Sequence, residues 1–268
     1  MSQHQNPIRS VIGAGGVAVG MLIQEFGTRG IAKLMEYAGV DFVTIDMEHS
    51  AFGTDRVADL LAFFKATPIA TLVRVPDLAP HFISGALDAG AAGVQVANVE
   101  NAEAARAVVA AAKYPPMGRR GLGLIAAHTD FRPVDRAGYL REANERTMVV
   151  VQIESVAGLN NVAEIAAVDG VDVLSIGFGD LSHSLGIVGQ LDHPLFKQAA
   201  EKVAAACKRH GKVAKIHPHS DEQTRRYVAM GYRMLMCPID AAIFRRGAKA
   251  AVDEVRAAVA SVTRGPAA

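Results

Sequence analysis

A chain of 268 residues that is 50% apolar and 21% charged can bury one large core, and residues 1–268 are read as one domain. Its 28 basic and 27 acidic side chains nearly cancel, and no block of Lys or Arg gathers to neutralise phosphates, which argues against nucleic acid as a partner. Two cysteines, Cys207 and Cys237, have neither Cys-x-x-Cys spacing nor the pattern of a disulfide scaffold, and fit a reducing cytoplasm.

The chain opens with a polar lead, residues 2–6, and a glycine-interrupted apolar run at 11–23. Gly13, Gly15, Gly16 and Gly20 dilute that run, no clean small-x-small cleavage site follows it, and it is too short to span a bilayer. Neither a secretory signal nor a membrane segment is expected there. Residues 13–18 match the spacing of a dinucleotide-binding fingerprint, but that fingerprint requires a strand immediately before it, and the polar lead supplies none. A lead-in followed by a buried first strand is expected instead.

From there, short β-branched runs alternate with helix-period segments, the pattern of an α/β protein with a parallel sheet. Strands are expected at 17–23, 42–46, 69–75, 93–97, 148–153, 171–176, 212–217 and 233–238, and helices at 31–37, 56–65, 83–89, 102–113, 158–167, 193–208 and 222–230. Several helices stop at glycine, as at Gly39, Gly90, Gly211 and Gly231, where a left-handed cap costs least. Strand starts are evenly spaced except between the fourth and fifth, where an insertion sits; its Tyr114-Pro115-Pro116-Met117-Gly118 stretch cannot be a continuous helix. Eight strands with helical connections predict a closed (β/α)8 TIM barrel rather than an open doubly wound sheet. The helix at 241–262 is long for a barrel already complete, and is expected to reach a neighbouring subunit.

In such a barrel the reactive groups collect at the C-terminal ends of the strands. Strand two ends in Asp46-Met47-Glu48-His49, strand three in Arg74 and strand five in Glu154, while Asp180 follows strand six and Asp88 closes an intervening helix. Any one of these alone is an ordinary loop start or helix cap. Four strand ends that agree point to one mouth. Glu154 follows Val149-Val150-Val151-Gln152-Ile153, a run too apolar to leave its carboxylate without a partner. Asp180 follows Gly177-Phe178-Gly179, where small residues let backbone N–H groups approach a ligand. Glu154 and Asp180 together read as two oxygen ligands for a hard cation that keeps waters and open positions for substrate.

The stretches Asp46-Met47-Glu48-His49-Ser50, Val73-Arg74-Val75-Pro76, Leu87-Asp88-Ala89-Gly90, Tyr114-Pro115-Pro116-x-Gly118-x-Arg120-Gly121, Gln152-Ile153-Glu154 and Ile176-Gly177-x-x-Asp180-Leu181-Ser182 resemble the HpcH/HpaI family of class II pyruvate aldolases. The resemblance implies a barrel, commonly hexameric (a trimer of dimers) with an exchanged C-terminal helix, and a Mg2+ or Mn2+ site, with Co2+ as a substitute, held by Glu154 and Asp180. It further implies that a 4-hydroxy-2-oxoacid is cleaved to pyruvate and an aldehyde through an enolate. Arg74 would stabilise the enolate, with Gln152, Gly179 and Asp180 beside it in substrate binding. His49 is the best proton carrier, and Asp46 and Asp88 would either orient it or hold metal-bound waters.

Some positions depart from the family pattern. Phe178-Gly179 stands where many members carry proline, and the stretch Leu124-Ile125-Ala126-Ala127-His128 lacks an arginine to grip a remote carboxylate, so the aldehyde is open. Lys215-Ile216-His217-Pro218-His219 is unusually basic and suggests an anionic acceptor. Lys215 also permits a rival Schiff-base mechanism, although the paired carboxylates would then lack a function, and a snorkelling lysine is the blander account. A zinc site at His217 and His219 lacks a third ligand at readable spacing. A related lyase or decarboxylase, or a barrel that only senses an oxoacid, completes the alternatives. The sensor is disfavoured because binding alone needs no base.

Overall fold

Eight parallel strands close into a barrel in the computed structural model, which describes residues 6–263. They are β1 Ala18–Ile23, β2 Phe42–Asp46, β3 Ala70–Val75, β4 Gly93–Val96, β5 Met148–Ile153, β6 Val173–Ile176, β7 Val213–Ile216 and β8 Met234–Met236, paired in sequence order, with β8 returning to β1. The helices are α1 Pro7–Gly13, α2 Ile31–Ala38, α3 Thr54–Phe64, α4 Pro80–Asp88, α5 Ala102–Ala112, α6 Arg136–Arg146, α7 Val156–Asn160, α8 Val162–Ala166, α9 Phe178–Ser184, α10 Pro194–His210, α11 Asp221–Met230 and α12 Asp240–Thr263. Each predicted strand is present, trimmed at most by a residue or two at its ends.

The helices differ more. The one predicted at 158–167 is split at Asn161, which leaves helical geometry and donates its side-chain amide to Glu100 O at 2.8 Å. Three helices were not predicted. α1 has a local start signal, Asn6 accepting from Ile8 N with Pro7 in the first turn, and it occupies the segment expected to be an irregular lead-in. Residues 13–18 therefore follow a helix rather than a strand, as the rejection of a dinucleotide fingerprint requires; residues 2–5 of the polar lead lie outside the described residues. α6 is capped by Asp135 and is polar over most of its surface, so apolar spacing does not announce it. α9 begins directly after β6 and carries Asp180 in its first turn.

Along each strand, side chains alternate between the barrel interior and the helix layer. At the strand starts the interior is apolar: Phe42, Leu72, Met148, Val150, Val173 and Met234 form one buried cluster, which Ile8 of α1 joins. A side chain at Gly20 would collide with the Phe42 ring, so β1 yields interior volume to β2. Outward residues such as Val43, Ile45, Val73, Val94, Val149 and Val151 pack beneath the helices in a second, larger cluster. Toward the strand ends the interior becomes polar, with Thr44, Gln95, Ser175 and Lys215 buried, followed by Asp46, Arg74 and Gln152. The same eight strands thus make an apolar floor and a polar roof.

α12 leaves this frame. Its root is tied down by Asp240, whose carboxylate accepts from the backbone N–H groups of Gln24, Glu25 and Phe26. Beyond it, Phe244, Val252, Val255, Val259 and Val262 are exposed. Among the described residues no helix is long and apolar enough to cross a membrane.

Candidate active site

Asp46 and Arg74 are register partners on β2 and β3, and this brings their side chains together at the barrel mouth. Arg74 Nε and Nη2 donate to the two Asp46 oxygens at 2.8 and 2.7 Å, a planar two-point pair buried from solvent. Burial opposes the Arg74 charge, but the Asp46 hydrogen bonds and the nearby Glu48 and Glu154 charges outweigh it and raise the pKa. Asp46 also accepts from Gln24 Nε2 and from Glu48 N, so both its oxygens are committed.

Around this pair stand further carboxylates. Glu154, 3% exposed, accepts from Asn98 N at 2.6 Å through Oε1 and from Gln152 Nε2 at 2.5 Å through Oε2. Burial pushes its carboxyl up, those two hydrogen bonds pull it down, and the charges of Glu48 and Asp180 push it up again. A Cβ at Gly177 would collide with Glu154 Oε2 and stand 3.0 Å from Gln152 Nε2, so glycine is what lets the carboxylate rise between β5 and β6. Glu48 is also raised, first by burial, with Arg74 and His49 opposing and Asp46 and Asp180 adding to it. Its Oε2 lies 3.1 Å from Arg74 Nη1 yet is buried without a hydrogen bond.

The Asp180 charge thus disfavours ionised Glu48 and Glu154, Glu48 adds to the effect on Glu154, and Glu48 holds an orphaned oxygen. A divalent cation fits this donor set, because it would relieve the repulsion and accept hard oxygen ligands. Among the described residues no group of three or more His, Cys, Asp or Glu side chains could by itself hold a metal ion. The fit is to an open site in which few protein carboxylates share the cation with substrate and water, rather than to a closed cage.

The cavity beside these groups measures about 270 Å³ and is lined by Gln24, His49, Arg74, Gln152, Gly179, Asp180, Lys215 and His217 among others. Two larger hollows, of about 500 and 610 Å³, lie against Lys113 and Asp172 and against His128 and Tyr139, toward the strand starts and away from the carboxylates. The His49 ring is 56% exposed on the rim, 3.9 Å from Glu48 Oε2. Asp180 and Gly179 are exposed, and the space where a Gly179 side chain would project is open.

Seven of the predicted site residues thus come together: Asp46, His49, Arg74, Gln152, Glu154, Gly179 and Asp180. Asp88 does not join them within one chain. α4 runs back from the end of β3 to the start of β4, so its last residue lies near the barrel floor, where Arg120 Nη2 donates to it at 2.5 Å and its carbonyl meets His128 Nδ1 at 3.1 Å. Within one chain Asp46 is hydrogen-bonded to Arg74 rather than to His49, and Asp88 lies at the far end of the barrel.

Residues 27–246 match the HpcH/HpaI aldolase/citrate lyase family. The chain belongs to that family. It is 37% identical over 212 residues to the 2-dehydro-3,6-dideoxy-6-sulfogluconate aldolase of Pseudomonas putida, a match spanning 79% of this chain and 82% of that one. It is 35% identical over 219 residues to the 4-hydroxy-2-oxo-heptane-1,7-dioate aldolase of Salmonella arizonae, covering 82% of this chain and 83% of that one. The crystal structure of an HpcH/HpaI aldolase from Desulfitobacterium hafniense superposes with a TM-score of 0.88 at 32% identity, covering 92% of this chain and 96% of that one. This member of the HpcH/HpaI family is an enzyme, a carbon–carbon lyase of the aldolase type.

Several residues at this aldolase's site escaped the sequence reading. Gln24, Thr44 and Gln95 are isolated polar residues in or beside short apolar strands, and that isolation was the only available signal. The basic end of strand seven is partly buried. His217 and His219 stack at 4.7 Å with Phe178 against their edges, and burial first, then the neighbouring His219 and Lys215 charges, push His217 down to about 4, while burial lowers His219 too. Burial thus disfavours the charged form of both rings. Lys215 lies inside the barrel rather than snorkelling, and burial together with the Arg74 charge pushes it down to about 7.

Proposed function

We propose that this aldolase reversibly cleaves a 4-hydroxy-2-oxoacid to pyruvate and an aldehyde through an enolate formed at the barrel mouth. The observation that carries the proposal is the locked Asp46–Arg74 pair at the barrel mouth, with Glu48 3.1 Å from Arg74, Glu154 raised by the Glu48 and Asp180 charges, and a cavity lined by Arg74 and Asp180 beside them. Glu154 and Asp180 would hold Mg2+, Mn2+ or Co2+, which when bound supplies Lewis acidity at the substrate's keto oxygen. Arg74, held in one orientation by Asp46, keeps its remaining donors aimed where negative charge develops. Gln152 and Gly179 line the place of the oxoacid. His49, reachable from both cavity and solvent, takes up and returns the proton at carbon.

The relatives' names specify different aldehyde portions, so the acceptor does not follow from family membership. The stacked His217 and His219 rings beside Phe178 suit a hydroxylated aldehyde that can stack and hydrogen bond. The exposed apolar residues of α12 support a homo-oligomer, a hexamer built as a trimer of dimers, with that helix packed on a neighbour. Asp88 joins a catalytic centre only where such assembly brings one barrel's floor to another's mouth. Residues 1–268 act as one domain, and free Cys207 and Cys237 suit a reducing cytoplasm.

The test is methyl-proton exchange of pyruvate in D2O. Exchange is expected with Mg2+, Mn2+ or Co2+ present, lost in EDTA, and restored when metal is returned. Full exchange in the chelated protein would overturn the proposal.

A further inference from the structure

A chain of hydrogen bonds that no step above uses runs through the polar roof. Lys215 Nζ on β7 donates to Gln95 Oε1 on β4 at 2.6 Å and to Thr44 Oγ1 on β2 at 3.3 Å. Gln95 Nε2 donates to Gln152 Oε1 on β5, and Gln152 Nε2 donates to Glu154 Oε2 at 2.5 Å. Gln95, Gln152, Glu154 and Lys215 are all buried.

This chain can be written in one direction only. A lysine ammonium donates and cannot accept, so Gln95 must turn its oxygen toward Lys215. The Gln95 nitrogen then faces Gln152, whose oxygen must receive it, and the Gln152 nitrogen is left for Glu154. A neutral Lys215 amine keeps two N–H bonds for Gln95 and Thr44, and the Glu154 carboxylate, which can only accept, still holds the Gln152 nitrogen toward itself. Reversing either amide would set donor against donor or acceptor against acceptor in a buried layer, at the cost of unsatisfied polar groups.

We propose that Lys215 is a positioning residue for Glu154: acting through Gln95 and Gln152, it fixes the donor that holds Glu154 Oε2 and so the direction in which the carboxylate is presented to a divalent cation. Filling space does not explain this lysine. A methionine would occupy a similar volume without burying an amine, and among the described residues Lys215 has no carboxylate partner to offset that burial. Snorkelling does not explain it either, since the residue is 2% exposed.

The inference rests on Glu154 being a metal ligand, and the test separates the two ideas. Mn2+ is titrated into the full chain, with the electron paramagnetic resonance signal of free Mn2+ reporting binding, for the unchanged protein, Glu154→Gln, Lys215→Met, Gln95→Glu and the Lys215→Met/Gln95→Glu double variant. Glu in place of Gln95 keeps an oxygen for Lys215 but offers Gln152 no donor, and it carries the test alone should Lys215→Met not fold. Mn2+ binding is expected to weaken by about 10–100-fold in Lys215→Met and in Gln95→Glu, the usual effect of losing an outer-shell partner. The double variant should be no weaker than the worse single one, because both cut the same chain. Melting temperatures that stay level while affinity falls mark positioning rather than packing. Unchanged affinity in Lys215→Met or Gln95→Glu, with Glu154→Gln impaired, overturns the proposal while leaving the ligand assignment intact. Unchanged affinity in Glu154→Gln removes the ligand assignment and this inference with it. Lost turnover at normal Mn2+ affinity in Lys215→Met, or pyruvate trapped on Lys215 by borohydride, assigns the lysine to direct chemistry and also overturns it.

Discussion

At the scale of single residues, the site divides into groups that hold charge and one that carries a proton. Arg74 and the carboxylates stabilise or repel charge but are fixed by one another, whereas His49 is bound only loosely on the rim. His49→Ala should therefore retain Mn2+ binding and lose two to four orders of magnitude in pyruvate methyl exchange, roughly the worth of a positioned general base. Exchange at the unchanged rate in that variant would assign the proton step elsewhere. Lys215 makes a separate prediction about stability. The unfolded chain keeps its proton up to about 10.5 and the folded chain releases it near 7, so between these values the unfolded state binds more protons. Raising pH through that window should favour folding of the metal-free protein, and the gain should disappear below about 7. The groups packed on Lys215 from other strands are Thr44, Phe42 and Gln95, with the Arg74 charge opposing and His217 just past the end of its own strand. Denaturant titrations across pH should show a shallower rise in Lys215→Met than in the unchanged protein; equal slopes would mean that Lys215 ionises normally.

At the scale of elements, strands and floor carry the stability. Ile8 is fully buried against the interior cluster although α1 lies outside the barrel repeat. Ile8→Ala should cost about 2–5 kcal/mol in urea unfolding, the range for truncating a buried aliphatic side chain, while Mn2+ affinity stays unchanged. A neutral effect would mean that α1 does not close the floor. Such elements also show what could be read beforehand. Buried parallel strands are dense in β-branched residues, and β2, β3 and β5 were legible with little error because burial on both faces demands that composition. α6 was not, because its packing face is narrow, and the split at Asn161 depends on a contact with Glu100 made across sixty-one positions of chain. At the site, strand-end polarity located Asp46, Arg74 and Glu154. It could not separate Asp88, since a residue that closes a helix running back to the floor has the same local pattern as one near the mouth.

At the scale of the whole molecule, α12 is the element that one chain leaves unfinished. It spans 24 residues, and only Asp240 at its root is buried. Light scattering should give a mass of roughly six times the 28.2 kDa chain, while Phe244→Asp together with Val255→Asp should lower that mass; a monomer in the unchanged protein would contradict the proposed assembly. The layered barrel has a further consequence. Its apolar floor and its polar roof belong to the same strands but to different side chains, so selection for persistence and selection for chemistry act on separate positions. Changes at the rim, at Phe178, His217 or His219, leave Phe42, Leu72, Met148 and Val150 untouched. A lineage built on this frame can exchange one aldehyde for another in small steps without first becoming a worse folder, which is one physical route to relatives that share a barrel and are named for different acids.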